Sequence, residues 1–172
     1  MGDERSDGGH DGFDDWYVQA FPQVRGALAL AIGDADLAEE AAAEAFTRAL
    51  VSWRKVHALD SPTGWVYATA LNHVRSTLRR LRLERRHQQR LRAGPRSYQP
   101  PPEPEPALWR AVAELPPRTR EAVALRYVAD LSEAQVAAVM GVSAGTVAAT
   151  LHQARRRLAQ ILADDVDKER TR

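Results

Sequence analysis

Apolar residues recur at three- and four-residue intervals along most of this chain, and strand-like alternation appears nowhere. Trp16, Tyr17, Ala20, Phe21, Val24, Ala27, Leu28, Ala31 and Ile32 fall at helical spacing. Pro22 lies within that run and either starts a second segment or kinks the first. Asp34 or Asp36 can cap a second helix running to about Ser52. Leu37, Ala41, Ala45, Phe46 and Leu50 lie on or beside its apolar face, with Glu39, Glu40 and Glu44 together on the other side. Trp53–Asp60 reads as a short connection. Ser61-Pro62 then pairs a capping hydroxyl with a proline at the first helical position, and predicts a helix running from Pro62 to near Arg92.

The C-terminal part carries the sharpest local pattern. Pro116-Pro117 opens a helix bearing Ala122, Val123, Leu125, Arg126 and Tyr127. Ser132 and Gln135 form a capping box ahead of a short helix whose inner face is Val136, Ala137 and Met140. Gly141 supplies the permissive backbone of a turn, Val142 packs into that turn, and Ser143 caps the next helix, with Val147 and Leu151 facing inward. Capping, turn and core positions agree on a helix-turn-helix. Between the two parts, residues 93–107 hold 6 of the 10 prolines. That composition predicts an extended, semi-rigid linker spanning roughly 45 Å at ~3.1 Å per residue. The fold expected is therefore all-α: a helical domain over 13–92, a linker over 93–107 and a small helical domain over 108–163. An acidic N-terminus (1–12), expected to be disordered, and a charged tail (164–172) flank them.

Charge sharpens this division. The net charge is only +1, yet residues 1–50 carry −8 and residues 51–92 carry +8. Eight arginines lie between Arg75 and Arg92, and Arg75, Arg79, Arg82 and Arg86 form one helical stripe. Like charges at this spacing oppose an isolated helix, and a polyanion would relieve the repulsion while releasing counterions, so the stripe points to phosphate. Trp65, Tyr67, Asn72 and His73 lie just upstream, where aromatic rings could stack single-stranded bases; Trp65 fits a core position equally well. Arg155, Arg156 and Arg157 follow the second helix of the helix-turn-helix and could hold phosphates too.

Other chemistries find no support. Cysteine is absent, which excludes disulfides, thiolate metal sites and cysteine nucleophiles and fits a reducing cytoplasm. His10, His57, His73, His87 and His152 are scattered, with no paired metal-ligand spacing, and no glycine-rich phosphate loop occurs. No catalytic residue, metal site or cofactor is expected. No apolar run reaches the ~18 residues of a membrane span, and the N-terminus lacks the pattern of a secretory signal.

At this point the residues resemble a known family. DADLAEEAAAEAFTRAL is similar to region 2.2, the polymerase-binding helix, of extracytoplasmic-function (ECF, group 4) sigma factors of bacterial RNA polymerase. GWVYATALNHVRSTLRRLRLERR is similar to regions 2.3 and 2.4, and LPPRTREAVALRYVADLSEAQVAAVMGVSAGTVAATLHQARRRL to region 4. The resemblance covers about residues 13–162. It implies core polymerase binding through Asp36, Glu39, Glu40, Glu44 and Arg48. It implies contacts to the −10 promoter element through Arg54, Lys55, His57, Trp65, Asn72, Arg75, Arg79 and Arg80, with the Trp53–Asp60 connection capturing a flipped base. At the −35 element it implies Ser143, Gly145, Thr146, Ala148, Ala149, His152, Gln153, Arg155 and Arg156. Promoter DNA and core RNA polymerase would be the partners, with an anti-sigma factor as a third, in the bacterial cytoplasm.

Three departures from the family pattern stand out. Ala43 stands where a glutamine is usual, and Ser76 where an aspartate follows the region 2.4 asparagine. The recognition helix reads GTVAATLHQAR rather than GTVKSRLHRAR, so Ala148, Thr150 and Gln153 replace three cations. A helix-turn-helix regulator acting without polymerase is the alternative reading.

Overall fold

The computed structural model describes residues 12–87 and 106–170, with side chains described over 12–84 and 107–164. The expected acidic N-terminus up to Asp11, most of the proline-rich linker, the end of the tail and the arginines Arg90 and Arg92 lie outside the described residues, as do the side chains of Arg85 and Arg86. Among the described residues all regular structure is helical: α1 (Phe13–Ile32), α2 (Ala35–Val51), α3 (Trp53–Val56), α4 (Pro62–His87), α5 (Pro106–Ala113), α6 (Pro117–Val123), a π-helical stretch (Ala124–Val128), α7 (Glu133–Met140) and α8 (Ala144–Arg170).

Pro22 does not divide α1, which runs through it as one helix. Pro22 and Val18, four residues earlier, are both exposed, so the carbonyl that loses its helical partner lies on the water side. The helix stops at Gly33, whose φ of 77° is a left-handed value and whose N–H bonds the Ala29 carbonyl at 2.8 Å. Of the two candidate caps for α2, Asp34 serves: its carboxylate accepts from the Leu37 N–H at 3.0 Å. Ala38, Ala41, Ala42, Ala45 and Ala49 are fully buried along α2, and their small size lets α1 and α4 approach closely on either side.

The Trp53–Asp60 connection is only partly a loop, because its first half is the single turn α3. Trp53 is buried there, with ring centroids 5.2 Å from Phe13 and 5.0 Å from Trp16. Phe46 joins the same cluster at 5.0 Å from Trp16. Such edge-on and tilted aromatic pairs add ~0.5–1.5 kcal/mol each to their burial. α4 begins as the Ser61-Pro62 pair predicts, with Ser61 Oγ accepting from the Gly64 N–H at 3.1 Å. A Cβ at Gly64 would stand 2.7 Å from that oxygen, so a side chain there would make the Ser61 hydroxyl shift.

In the C-terminal part α6 runs into a π-helical stretch, where the Ala129 N–H reaches back five residues to Ala124 O at 3.0 Å. Ser132 and Gln135 close the capping box in both directions, at 3.2 and 2.8 Å. Gly141 has φ of 68°, and α7 and α8 meet at 104°, within the range of helix-turn-helix units.

The two parts do not stand apart. α6 and the π-helical stretch pack on α1, α7 packs on α4, and the buried side chains of both parts form one continuous apolar cluster. Polar contacts fasten the same seam. Arg120 donates from Nε to Ala31 O at 3.2 Å and from Nη2 to Ile32 O at 3.3 Å, the last carbonyls of α1, and from Nη1 to Ala113 O at 2.9 Å on its own side. A cation suits the negative end of a helix dipole. Gln23 Nε2 donates to Val128 O at 3.2 Å, and Arg75 Nη2 meets Glu121 Oε1 at 2.6 Å. No single described helix is long and apolar enough to cross a membrane.

Candidate functional site

Three surfaces collect the candidate residues. The first lies along α2, where Asp36, Glu39, Glu40 and Arg48 are exposed and Glu44 is half-buried. The helix places the acidic groups together, but their charge is partly answered locally. Glu44 holds Arg48 at 2.7 Å, Glu39 faces Arg25 of α1 at 3.7 Å, and Glu40 lies 3.3 Å from His73 of α4. Ion pairs this exposed are worth little in water, so a basic partner could displace the side chains at small cost.

The second surface comprises α3, the turn after it, and α4. Arg54, Lys55 and His57 are exposed, and the His57 ring packs 5.0 Å from buried Trp53. Trp65 is half-buried on the first turn of α4. With Thr47, Arg48, Val51, Ser52 and Thr69 it lines an open, largely apolar notch of about 360 Å³, which joins the α2 surface to the α4 surface. Tyr67 is not a stacking platform. It is fully buried, its hydroxyl donates to Gln23 O at 3.4 Å, and burial raises its pKa. Asn72, Arg79 and Arg80 are exposed along α4. Arg75 differs: its Nη1 donates to Asn72 Oδ1 at 3.1 Å while Nη2 engages Glu121 from the other half of the molecule. Glu121 is 8% exposed and also binds Arg118 at 3.1 Å.

The third surface is the start of α8. Ser143, Ala144, Gly145 and Thr146 are all exposed, and Ser143 Oγ accepts from the Thr146 N–H at 3.1 Å. Val147, Leu151 and Ala154 are buried against α6 and α7. Ala149, His152, Gln153, Arg155, Arg156 and Arg157 therefore point to solvent, with Ala148 and Thr150 half-buried at the edge of that face. The Thr150 hydroxyl is turned to its own helix, donating to Thr146 O at 2.8 Å. Arg155 Nε donates to Leu151 O at 3.3 Å, leaving the rest of its guanidinium at the exposed edge.

Sequence reasoning missed several residues of these surfaces. Val51 is 82% exposed at the rim of the notch, an apolar group at the end of an otherwise polar helix face, and its position one turn from Thr47 and Arg48 could have marked it. Glu121 and Arg120 read as ordinary helix-surface charges, and no local pattern reveals that they reach the other half. Among the described residues, no group of three or more His, Asp or Glu side chains is arranged to hold a metal ion.

Residues 106–158 match the family described as Sigma-70, region 4, which covers α5 through most of α8. Over 162 residues the chain is 27% identical to the RNA polymerase sigma factor CarQ of Myxococcus xanthus, covering 92% of this chain and 93% of that protein. The fold superposes with a TM-score of 0.68 on the sigma factor RpoE of Bartonella quintana, solved in complex with the anti-sigma factor NepR. That match has 21% identity over 90% of this chain and 98% of the other.

Proposed function

We propose, from the premise that the chain belongs to the sigma-70 family as a member of its ECF type, that its three surfaces divide the work of transcription initiation. As a sigma factor it directs RNA polymerase to promoters. In this reading the acidic face of α2 docks on a basic surface of core polymerase, α4 and the α3 turn hold the opened −10 strand, and α8 enters the major groove at the −35 element. The observation that carries this reading is the start of α8. An exposed first turn, a buried Val147–Leu151 ridge and a 104° turn from α7 present one helix face to a groove. The sequence resemblance to a sigma factor extends through both parts of the chain.

The chain's contribution is binding and positioning. Exposed Arg79 and Arg80 supply phosphate contacts without sequence preference. Asn72, the Trp65 notch and the exposed turn 57–60 supply base contacts. The notch is largely apolar, which suits the face of a base, and Arg48 in its lining adds a cation. At the −35 element the Ala144 and Gly145 amides at the start of α8 donate to a phosphate, and His152 and Gln153 face the bases. An anti-sigma factor is proposed as a third partner, on the likeness of the fold to a sigma factor solved in such a complex.

Transcription in vitro with core polymerase, followed by mapping of start sites, tests the reading. The full chain should direct initiation at discrete sites that share −35 and −10 sequences. Specific duplex binding without core enzyme, together with no initiation in its presence, would instead identify a polymerase-independent regulator.

A further inference from the structure

Leu83 is an apolar residue on the polar side of α4, and it is 52% exposed. Asn72, Ser76, Arg79 and Leu83 follow i, i+4, i+7, i+11 spacing and all four are exposed, so they form one stripe along the helix. Tyr67, Ala70 and Val74 are buried on the opposite side, where Leu81 is half-buried. The core therefore does not account for Leu83. A single exposed leucine is ordinary on a protein surface. This one lies within the stripe that the proposed function turns toward DNA. Arg79 stands one turn before it and Arg80 beside it, with Glu84 drawn to Arg80 at 3.9 Å.

We propose that Leu83 is a specificity residue that reads the methyl group of a thymine in the duplex just upstream of the −10 element. The inference rests on the sigma-factor reading above, which sets α4 on promoter DNA. The first turns of α4 carry Trp65 and follow the α3 turn, the groups assigned to the opened strand, whereas the chain leaves the far end of α4 for the half that bears α8. Leu83 therefore lies on the upstream, paired side. Asn72 stands eleven residues before it. That is roughly 16 Å of helix at ~1.5 Å per residue, or about five base pairs at ~3.4 Å each. A helix meets duplex bases in the major groove, where donors and acceptors distinguish the pairs and the thymine C5 methyl is the one apolar feature. A leucine side chain has neither donor nor acceptor, so of the groups in that groove only the methyl matches it. Arg79 and Arg80 on phosphates set its depth and register.

Uracil makes the test direct, because it pairs as thymine does and lacks only the methyl. The probe is a linear promoter duplex chosen by start-site mapping. Each thymine of either strand within about five pairs upstream of the −10 element is replaced singly by uracil. The full chain, reconstituted with core polymerase, is titrated onto each duplex. One replacement should weaken binding by the parent roughly fourfold, the ratio that burial of a single methyl group gives. Leu83→Ala should weaken binding to the thymine duplex at least as much and no longer distinguish thymine from uracil. Leu83→Met, still apolar, should keep the distinction. Both substitutions are at an exposed helix position, so melting should match the parent. Parent binding that ignores every uracil overturns the proposal. So does a uracil penalty that survives in Leu83→Ala, and so do mapped promoters without thymine in that interval. Each of these, with initiation at discrete sites intact, leaves the sigma-factor reading standing. No initiation by the parent removes that reading and the proposal with it.

Discussion

Replacing Arg79 and Arg80 together with alanine should change how promoter binding responds to salt far more than it changes the fold. Both side chains are exposed on α4, and Arg80 makes only a long 3.9 Å contact with Glu84. Losing that contact costs ~0–1 kcal/mol, while removing the repulsion between Arg75 and Arg79 at i, i+4 returns ~0.2–0.5 kcal/mol. The two nearly cancel, so the melting temperature should move by no more than ~2–4 °C in a chain of this size. Binding behaves differently. If each arginine holds one phosphate of the opened strand, each contributes ~0.7 to the slope of log K against log salt. The double variant should therefore lose ~1.4 from that slope. Between ~50 and ~200 mM salt the parent should weaken roughly sevenfold more than the variant. The assay is fluorescence anisotropy of reconstituted polymerase on a pre-melted promoter bubble, titrated with salt. A variant that folds like the parent and keeps its full slope would refute the placement of these arginines on the DNA backbone.

Other outcomes follow from the same geometry. Glu40→Arg with Glu44→Arg should sharply reduce co-purification with core polymerase while leaving helicity unchanged, since both side chains reach the surface of α2. Phe46→Ala should destabilise the protein by ~3–5 kcal/mol in urea unfolding, because it empties the centre of the aromatic cluster. Ser132→Ala should cost ~0.5–2 kcal/mol by the same measurement, through loss of half the capping box. Ala148→Lys, Thr150→Arg and Gln153→Arg together should raise affinity for −35 duplex and steepen the salt slope by up to ~2.7 in gel shifts. The half-buried positions 148 and 150 lie at the edge of the exposed face, so the smallest gain is expected there.

Much of this was legible from the residues alone, and the reasons are local. The capping box at Ser132, the turn at Gly141 and the Ser61-Pro62 start each specify their element through bonds spanning three or four residues. The acidic and basic faces follow from helical spacing in the same way. What failed to show was contact across sequence distance. Tyr67 has the composition of a stacking residue, and only the packing of α1 against α4 buries it. Pro22 argues for a break, and the solvent position of its turn removes the argument. The π-helical stretch has no sequence signature in Ala124–Val128, and the Arg75–Glu121 pair joins residues 46 positions apart, beyond any periodicity.

The shared apolar cluster also bears on how the protein is made. α1 is synthesised first, but the part of its surface that meets α6 and the π-helical stretch stays uncovered until translation passes residue 128. At ~5–20 residues per second that interval lasts roughly 5–20 s. For that time the nascent chain displays an unpaired apolar strip beside a fully formed α1–α2 pair. A trigger-type chaperone that holds apolar segments at the ribosome should therefore cross-link to α1 in chains stalled near residue 110 and release it in chains stalled well past residue 160.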